Sequence, residues 1–560
     1  MMRIRTRSSG RFRALLGAVT ALALVLVACA PGEEAPEDEA AAEDPEAVAV
    51  EDPDEDAPVD AADAGTLVID YDFGHQTADI HRDGSSDTRK IAAAAYDTLT
   101  TFTSPDVSEP DPGIATSWSS NEDATEWVFE IREDARFHDG TDVTVEDVVF
   151  SLRRFKHLQG PFAFFLDGIN IEQGEGNTVV LSTDEPNVAL PFFVSYPKMG
   201  IVPADAVREA GGTDAEDAFE TDEAESWFEE QGSVGSGPYR IDEWSTTSQL
   251  VFVPNEHYWG EPAAFEQIVL VNSEPQTQLL NIQTGRTDLA VDLTPDQLGA
   301  LDESGLQVIE DVSPIVFYFF MNLDPDVSEI SSNPDFREAV RYAIDYESMA
   351  ELFGEGVRQA CGMIPSMVLG ALDDDECISR DLDRAAEALE RSGIDDPTIT
   401  MEYISGHVTD GVPHQTVSER IQEHLAEAGI DVELRASPLA TQLDRYRSGE
   451  TPMHMWTISM RHPDVSSYIV AMSDGGGNAA PAGLSAESLP EAQDLADQIL
   501  NATSDAERGP LVQEWQRLLN ENGAFVPLHQ STRVLVGADD LTGLESHPLY
   551  VVDFRNIGRS

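Results

Sequence analysis

The chain alternates between two hydrophobic patterns. Short runs such as "TLVIDYDF" (66–73), "LVFVPN" (250–255), "IVLVN" (268–272) and "IVFYFFMN" (315–322) are dense in branched and aromatic residues, which predicts buried strands. Between them lie stretches with apolar residues at helical spacing: "RAAEALERSGI" (384–394), "SERIQEHLAEAGI" (418–430) and "DAERGPLVQEWQRLLNEN" (505–522). In the second of these Ile421, Leu425 and Ala428 share one side, and Gly429 marks the end. Strands and helices in alternation over 560 residues predict an α/β chain of two or three domains, because a single core does not grow to this length.

One segment can be read residue by residue. "EWVFEI" (126–131) places Trp127, Phe129 and Ile131 on one face of a half-buried strand, and "DG" at 139–140 signals a turn. Thr144 is then an N-cap with Asp147 three residues on, and Val143 and Val148 occupy the staple positions around it. Glu146 and Asp147 suit the start of the helix that follows, and Arg153 and Arg154 its end, by the macrodipole. His138, Asp139 and Gly140 side by side raise the possibility of a general base. Strand, turn, cap and helix account for the same residues, so His138 is expected to be structural.

The amino terminus has a different pattern. Arg3, Arg5, Arg7, Arg11 and Arg13 precede "ALLGAVTALALVLVA" (14–28), an apolar run shorter than the roughly 20 residues that span a bilayer. Residues 1–28 therefore read as an export signal. Residues 30–65 carry many carboxylates, no basic residue and no aromatic. Such a segment cannot offset its ordering entropy by burial and is expected to be an extended tether.

Composition sharpens the picture. Acidic residues number 105 against 33 basic ones, a formal net charge of −72, with only three lysines, Lys90, Lys156 and Lys198. So negative a surface repels phosphate backbones, which argues against nucleic-acid binding, and suits solubility, including in a saline habitat. Cys361 and Cys377, an even pair in an exported chain, suggest a disulfide, with two free thiols or a metal site as alternatives. The chain contains no GxSxG and no HExxH, and "GNAAPAG" (477–483) lacks a P-loop lysine, so a secreted hydrolase or nucleotidase is disfavoured. No cofactor is called for.

The ordered series "YDTLTTF" (96–102), "PGIATSWSSNEDATEWVFEIREDARFHDGTDVTVEDVVFSLRR" (112–154), "GSGPYRI" (235–241), "NEHYWG" (255–260), "NIQTGRTDLAV" (281–291), "FREAVRYAID" (336–345) and "PLH" (527–529) resembles the extracellular solute-binding proteins of the peptide/nickel class, family 5. These serve ATP-binding-cassette (ABC) importers, and the resemblance runs from about residue 66 to the end. "LVAC" (26–29) resembles a lipobox, which implies that Cys29 is lipidated and that the protein is held on the outer face of the cytoplasmic membrane by this lipid alone. The resemblance implies a two-lobed, periplasmic-binding-protein-like (type II) α/β fold with an extra inserted domain. Lobe I would comprise 66–90, 230–312 and 525–560, the inserted domain 91–229 and lobe II 313–524.

By the same resemblance the protein is not an enzyme. It would capture a small solute, a short peptide or similar, as a monomer and deliver it to ABC permease subunits. A nickel or metal chelate, an oligosaccharide, or a ligand-sensing role are the alternatives. The implied cleft draws on "DFGHQTAD" (72–79), with Phe73 and His75; on "FYFFMN" (317–322), with Phe319, Phe320 and Asn322; and on "MHMWTISMRHPDVSSY" (453–468). In peptide binders of the family an aspartate three residues after the tryptophan pairs with the peptide ammonium. Counting from Trp456 gives Ser459, and Met453 stands where some oligopeptide binders carry an arginine. Either Asp464 supplies the charge from a shifted position or the ligand lacks a free α-amine. Arg461 and His462 are candidates for a ligand carboxylate.

Overall fold

The computed structural model describes residues 65–560 except 75, 76, 84–87, 246 and 355. The export signal, Cys29, the tether as far as residue 64, and His75 lie outside the described residues. In chain order, strand β1 (Thr66–Tyr71) leads to helix α1 (Thr88–Ala95). Strands β2 (Ala115–Ser120) and β3 (Glu126–Ile131), helix α2 (Val145–His157), and strands β4 (Asn170–Gln173) and β5 (Thr178–Ser182) follow. Next come β6 (Tyr239–Trp244), β7 (Gln249–Pro254), β8 (Gln267–Asn272), β9 (Leu289–Leu293) and the 16-residue β10 (Leu306–Met321). The remainder includes α3 (Pro334–Ala343), α4 (Leu382–Ser392), β11 (Thr398–Ile404), α5 (His414–Glu427), β12 (Asp431–Ser437), α6 (Leu439–Arg447), β13 (Met453–Ser459), α7 (Ser466–Ala471), α8 (Asp505–Asn522) and the 14-residue β14 (Phe525–Ala538).

An 11-stranded sheet runs in the order β12-β11-β13-β10-β14-β9-β1-β8-β7-β6, with the short strand Arg358–Gln359 added beside β14. At one end β1 is parallel to β8 and β9, and at the other β11 is parallel to β12 and β13. Parallel neighbours require crossovers, which α5 and α6 supply around β12. The two halves are joined by β10 and β14, an antiparallel pair long enough to serve both. Leu306–Val312 pairs with Thr532–Ala538, the register shifts between Val312 and Val316, and Val316–Phe320 then pairs with Phe525–Gln530. A register shift of this kind bends the ribbon, and here it falls where one half of the sheet gives way to the other.

The hydrophobic pattern explains the layers. One cluster, with Leu67, Ile69, Phe252, Leu270 and Leu289, fills the β9-β1-β8-β7-β6 half. In the other half, alternation along β10 sends Val316, Tyr318 and Phe320 to one face and Phe317, Phe319 and Met321 to the opposite face. All six are fully buried, and each large apolar side chain contributes about 1.5–3 kcal/mol on leaving water. A separate four-stranded sheet, β2-β3-β5-β4, is capped by α2 over its own core of Phe129, Ile131, Val148 and Leu152.

The strand-turn-helix segment matches its sequence reading closely. Thr144 caps α2: its hydroxyl accepts from the Asp147 N–H at 3.4 Å, while the Asp147 carboxylate accepts from the Thr144 N–H at 2.9 Å. Val143 and Val148 are buried together. His138 is half-buried. Its N–H donates to the Gly235 carbonyl at 2.9 Å, its ring lies 3.4 Å from the Ser233 hydroxyl, and burial pushes its pKa down to about 4. Arg154 departs from the expectation. Instead of a solvated cation near a helix end, it is fully buried and paired with Asp79 at 2.6 Å and Asp222 at 2.8 Å. Cys361 and Cys377 form a disulfide, Cα atoms 4.0 Å apart. No helix among the described residues is long and apolar enough to cross a membrane.

Candidate functional site

Two of the three segments expected to form a cleft, 317–322 and 453–468, meet in the β10–β13 ladder. In register, Tyr318 faces Trp456, Phe319 faces Met455 and Phe320 faces His454. Trp456, the half-buried member of this set, stacks on Tyr446 of α6 with ring centroids 4.6 Å apart and planes at 16°. Phe320 packs behind them, 6.0 Å from Tyr446. The Tyr318 hydroxyl accepts from Asn478 at 2.7 Å, and the Tyr446 hydroxyl donates to the Gly477 carbonyl at 3.3 Å. Two phenols and an indole are thus fixed as a flat wall with polar tips.

In the other half of the sheet, β1 ends at Tyr71, whose ring centroid lies 5.7 Å from that of Phe73, and both are buried in the core of that half. The Lys90 ammonium sits 3.0 Å above the Tyr71 ring, and Arg89 of α1 donates to the Met460 carbonyl at 2.9 Å. That bond ties α1 to the turn carrying Arg461. Arg533 of β14 donates to the His547 carbonyl at 2.7 Å, and burial brings its pKa down to about 10.

Other expected lining residues serve the fold. Phe319 packs with Phe336, Val340 and Met455 on the far face of the sheet. Asn322 is 1% exposed, and its amide donates to the carbonyls of Gly449, Thr451 and Pro481 at 3.0–3.2 Å, so it pins three loops and has no donor left for a ligand. Ser459 ends β13, where strand alternation turns it to the face opposite Trp456. Asp464 is buried and held by Arg508 through two bonds of 2.6 and 2.8 Å, with a third from the Ser466 N–H at 2.8 Å. Burial alone would raise its pKa, but the bonds from Arg508 outweigh this and hold it below the usual carboxylate range. His462 lies between Phe165 and Phe193, its Nε2 3.1 Å from the Ser466 hydroxyl, and burial pushes its pKa down to about 3.

Arg461 is the exception in this loop. Its backbone N–H is held by Ser467 at 3.2 Å, and its guanidinium lies 5.9 Å from the Phe164 ring. Among the described residues no carboxylate is within ion-pair distance of it. Beside this loop a groove of about 430 Å³ is lined by Phe164, Phe165, Phe193, His462, Val470 and Arg508. Among the described histidines, His454 bonds the Glu402 carbonyl at 2.7 Å, and His529 lies against Phe353. No group of three or more histidine, cysteine or acidic residues suited to a metal ion occurs among the described residues.

Sequence reasoning missed Tyr71, Arg89, Tyr446 and Arg533. The rarity of cations in this chain was the available signal for Arg89 and Arg533, while the tyrosines sit in unremarkable local patterns.

A two-halved sheet joined by a bent pair of strands, with an aromatic wall beside the junction, defines a solute-binding architecture. The family of bacterial extracellular solute-binding proteins, family 5 (middle region), matches residues 109–480, and the chain belongs to it. It is similar to the probable D,D-dipeptide-binding periplasmic protein DdpA of Escherichia coli K12, 26% identical over 442 residues that span 78% of this chain and 82% of that one. Among solved structures it is similar to the periplasmic binding protein DppA of Helicobacter pylori in complex with the peptide STSA, with TM-score 0.73, 19% identity, and 88% and 98% of the two chains covered. NikZ of Campylobacter jejuni in complex with Ni(L-His) matches with TM-score 0.73 at 17% identity, over 89% and 100%.

Proposed function

We propose that this chain is the substrate-binding component of an ABC importer, held at the outer face of the cytoplasmic membrane by a lipid on Cys29. It captures a short peptide or similar polar solute between residues 66–90, 230–312 and 525–560 on one side and 313–524 on the other. The hinge is the β10–β14 pair, whose register shift at Val312–Val316 lies between the two halves of the sheet. The observation that carries the reading is the half-buried Trp456, stacked on Tyr446 and in register with Tyr318 of β10, beside that hinge. Relatives named for dipeptides and a solved relative holding a peptide support the solute class.

Capture proceeds without bond chemistry. The open form binds, the halves close, and the closed form presents the solute to a permease. The half-buried His138 is braced by Gly235 and Ser233 and serves packing, not proton transfer.

The test is thermal-shift and native mass-spectrometric screening of the purified protein against peptides, oligosaccharides and nickel chelates. A binder present at a hundredfold excess over its Kd stabilises by about 2.7 kcal/mol. Absence of any shift, together with turnover of an ester or peptide, overturns the reading. Labelling of the wild type with radioactive palmitate, and its loss in Cys29→Ala, tests the anchor.

A further inference from the structure

The half-buried Arg461 differs from interior cations that have a carboxylate partner and from Arg337 and Arg341, which lack one but donate to the carbonyls of Ser331, Ser332 and Asn522 and of Glu521 and Gly523. Arg154 has Asp79 and Asp222, Arg508 has Asp464, Arg445 has Glu402, and Lys198 has Asp83. The charged and ionisable groups bearing on Arg461 include Tyr196, Tyr318, Tyr446, Tyr468, His462 and the like charge of Arg89. The same Arg89 bears on Arg533, where Asp311 and Asp292 offset part of the repulsion. Three guanidiniums therefore come from three separate elements, α1, the turn after β13, and β14. Of these, Arg461 has no carboxylate within ion-pair distance among the described residues. An unpaired, half-buried cation is costly to keep, and a ligand that supplies the missing anion recovers that cost.

Among the described residues, the carboxylates nearest Trp456 and the turn after β13 are not open to an ammonium group. Ser459 is neutral and turned away from Trp456. Asp464 is occupied by Arg508, and Glu402, fully buried, is shared by Arg435, Arg445 and Gln442.

Resting on the capture function proposed above, we propose that the Arg461 guanidinium, with Arg89 beside it, anchors a carboxylate of the solute, and that the solute brings no cationic amine to the Trp456 wall. The substrate class is then a small carboxylic acid with its amine absent or blocked, such as an acylated dipeptide or a dicarboxylate.

The experiment compares four probe sets on the purified protein by calorimetry: N-acetyl dipeptides, free dipeptides, dipeptide amides and aliphatic dicarboxylates. Acetylated dipeptides or dicarboxylates are expected to bind, and dipeptide amides, with an ammonium but no carboxylate, to bind at least tenfold more weakly. Arg461→Gln should weaken the acid probes by about 10- to 150-fold, the loss of a charge-assisted hydrogen bond, with Arg461→Lys intermediate. The ligand-free unfolding midpoint of Arg461→Gln should stay level or rise, since an unpaired cation is removed; a structural role would lower it. Amides binding as tightly as acids, free dipeptides binding tenfold tighter than acetylated ones, or Arg461→Gln binding acids normally would each overturn the inference and leave capture standing. No binding by any of these probes, or by the oligosaccharides and chelates above, would remove the capture reading itself.

Discussion

Replacing Asp464 with asparagine separates a structural role from a ligand-binding one at the residue best placed in sequence to meet an amine. The Asp464 and Arg508 side chains are 6% and 4% exposed and share two hydrogen bonds. Asparagine keeps the shape and one acceptor but leaves the Arg508 charge buried without its main partner. Breaking a buried pair in this way costs about 3–5 kcal/mol. The exposed Asp505, 3.5 Å from Arg508, offers partial compensation and places the expectation near the lower end. At about 2.1 cal/mol/K per residue over about 500 residues, 3 kcal/mol lowers the midpoint by about 3 °C.

The pH dependence has a definite sign. The folded-state pKa of Asp464 is depressed, so its stabilisation is present above the unfolded value of about 3.9 and is lost as pH falls below it. The gap between wild type and Asp464→Asn, measured by thermal unfolding, should be widest near pH 7 and shrink toward pH 3. Binding of the tightest probe from the panel, measured well below the midpoint, should change less than about threefold. An unchanged midpoint together with at least tenfold weaker binding would show that Asp464 meets the ligand and would refute its assignment to Arg508.

Thr144→Ala removes the cap of α2 and should cost about 1 kcal/mol by chemical denaturation, with solute binding unaffected. His81, His138, His454 and His547 have pKa values pushed down to about 4, and His414 and His462 to about 3, mainly by burial. The unfolded chain binds more protons below about 6.5, so stability should fall steeply as pH drops from there toward 4; a flat profile over that window by calorimetry would contradict their burial. Exchange of both Cys361 and Cys377 for serine should cost about 3 kcal/mol in the chain-entropy model, read as a lower denaturant midpoint. The acidic exterior repels an anionic solute, so association followed by tryptophan fluorescence should quicken between about 0.05 and 0.5 M salt; slowing would mean the solute is cationic.

What the sequence revealed is mostly what local periodicity controls. The pattern "DAERGPLVQEWQRLLNEN" coincides with α8, and the cap, turn and staple around Thr144 follow from residues within a few positions of one another. Roles that depend on distant partners were hidden. Arg154 read as a helix-end cation because Asp79 and Asp222 lie 75 and 68 positions away. Asp464 looked available because Arg508 is 44 positions downstream. Phe319 and Phe320 were indistinguishable in sequence, and only the strand's orientation assigns them to opposite faces. Trp456 was legible through resemblance, but its stacking partner Tyr446 belongs to α6, whose pattern carries no sign of a binding wall.

The charge imbalance makes one local arrangement unusually informative. With 105 acidic residues against 33 basic ones, a cation placed at random in this chain has carboxylates within easy reach. Exposed arginines show it: Arg208 lies near Glu146, Asp205 and Asp214, and Arg391 near Asp335 and Glu338. Many interior cations show it as well, such as Arg555 with Asp553 and Arg559 with Asp288, while the buried Arg337 and Arg341 are held by backbone carbonyls. Arg461 instead has the phenols of Tyr196, Tyr318 and Tyr446 and the guanidinium of Arg89 for neighbours. In a protein of balanced composition an unpaired arginine in a cleft is weak evidence, because counter-ions are scarce. Here they are abundant, and the fold arranges aromatic and cationic neighbours about this one guanidinium while Asp464, three residues along, is held by Arg508. That arrangement keeps the anchor charged and open to an anion from outside the chain, and it places selectivity for the solute's charge in a turn that local sequence pattern alone would assign to the surface.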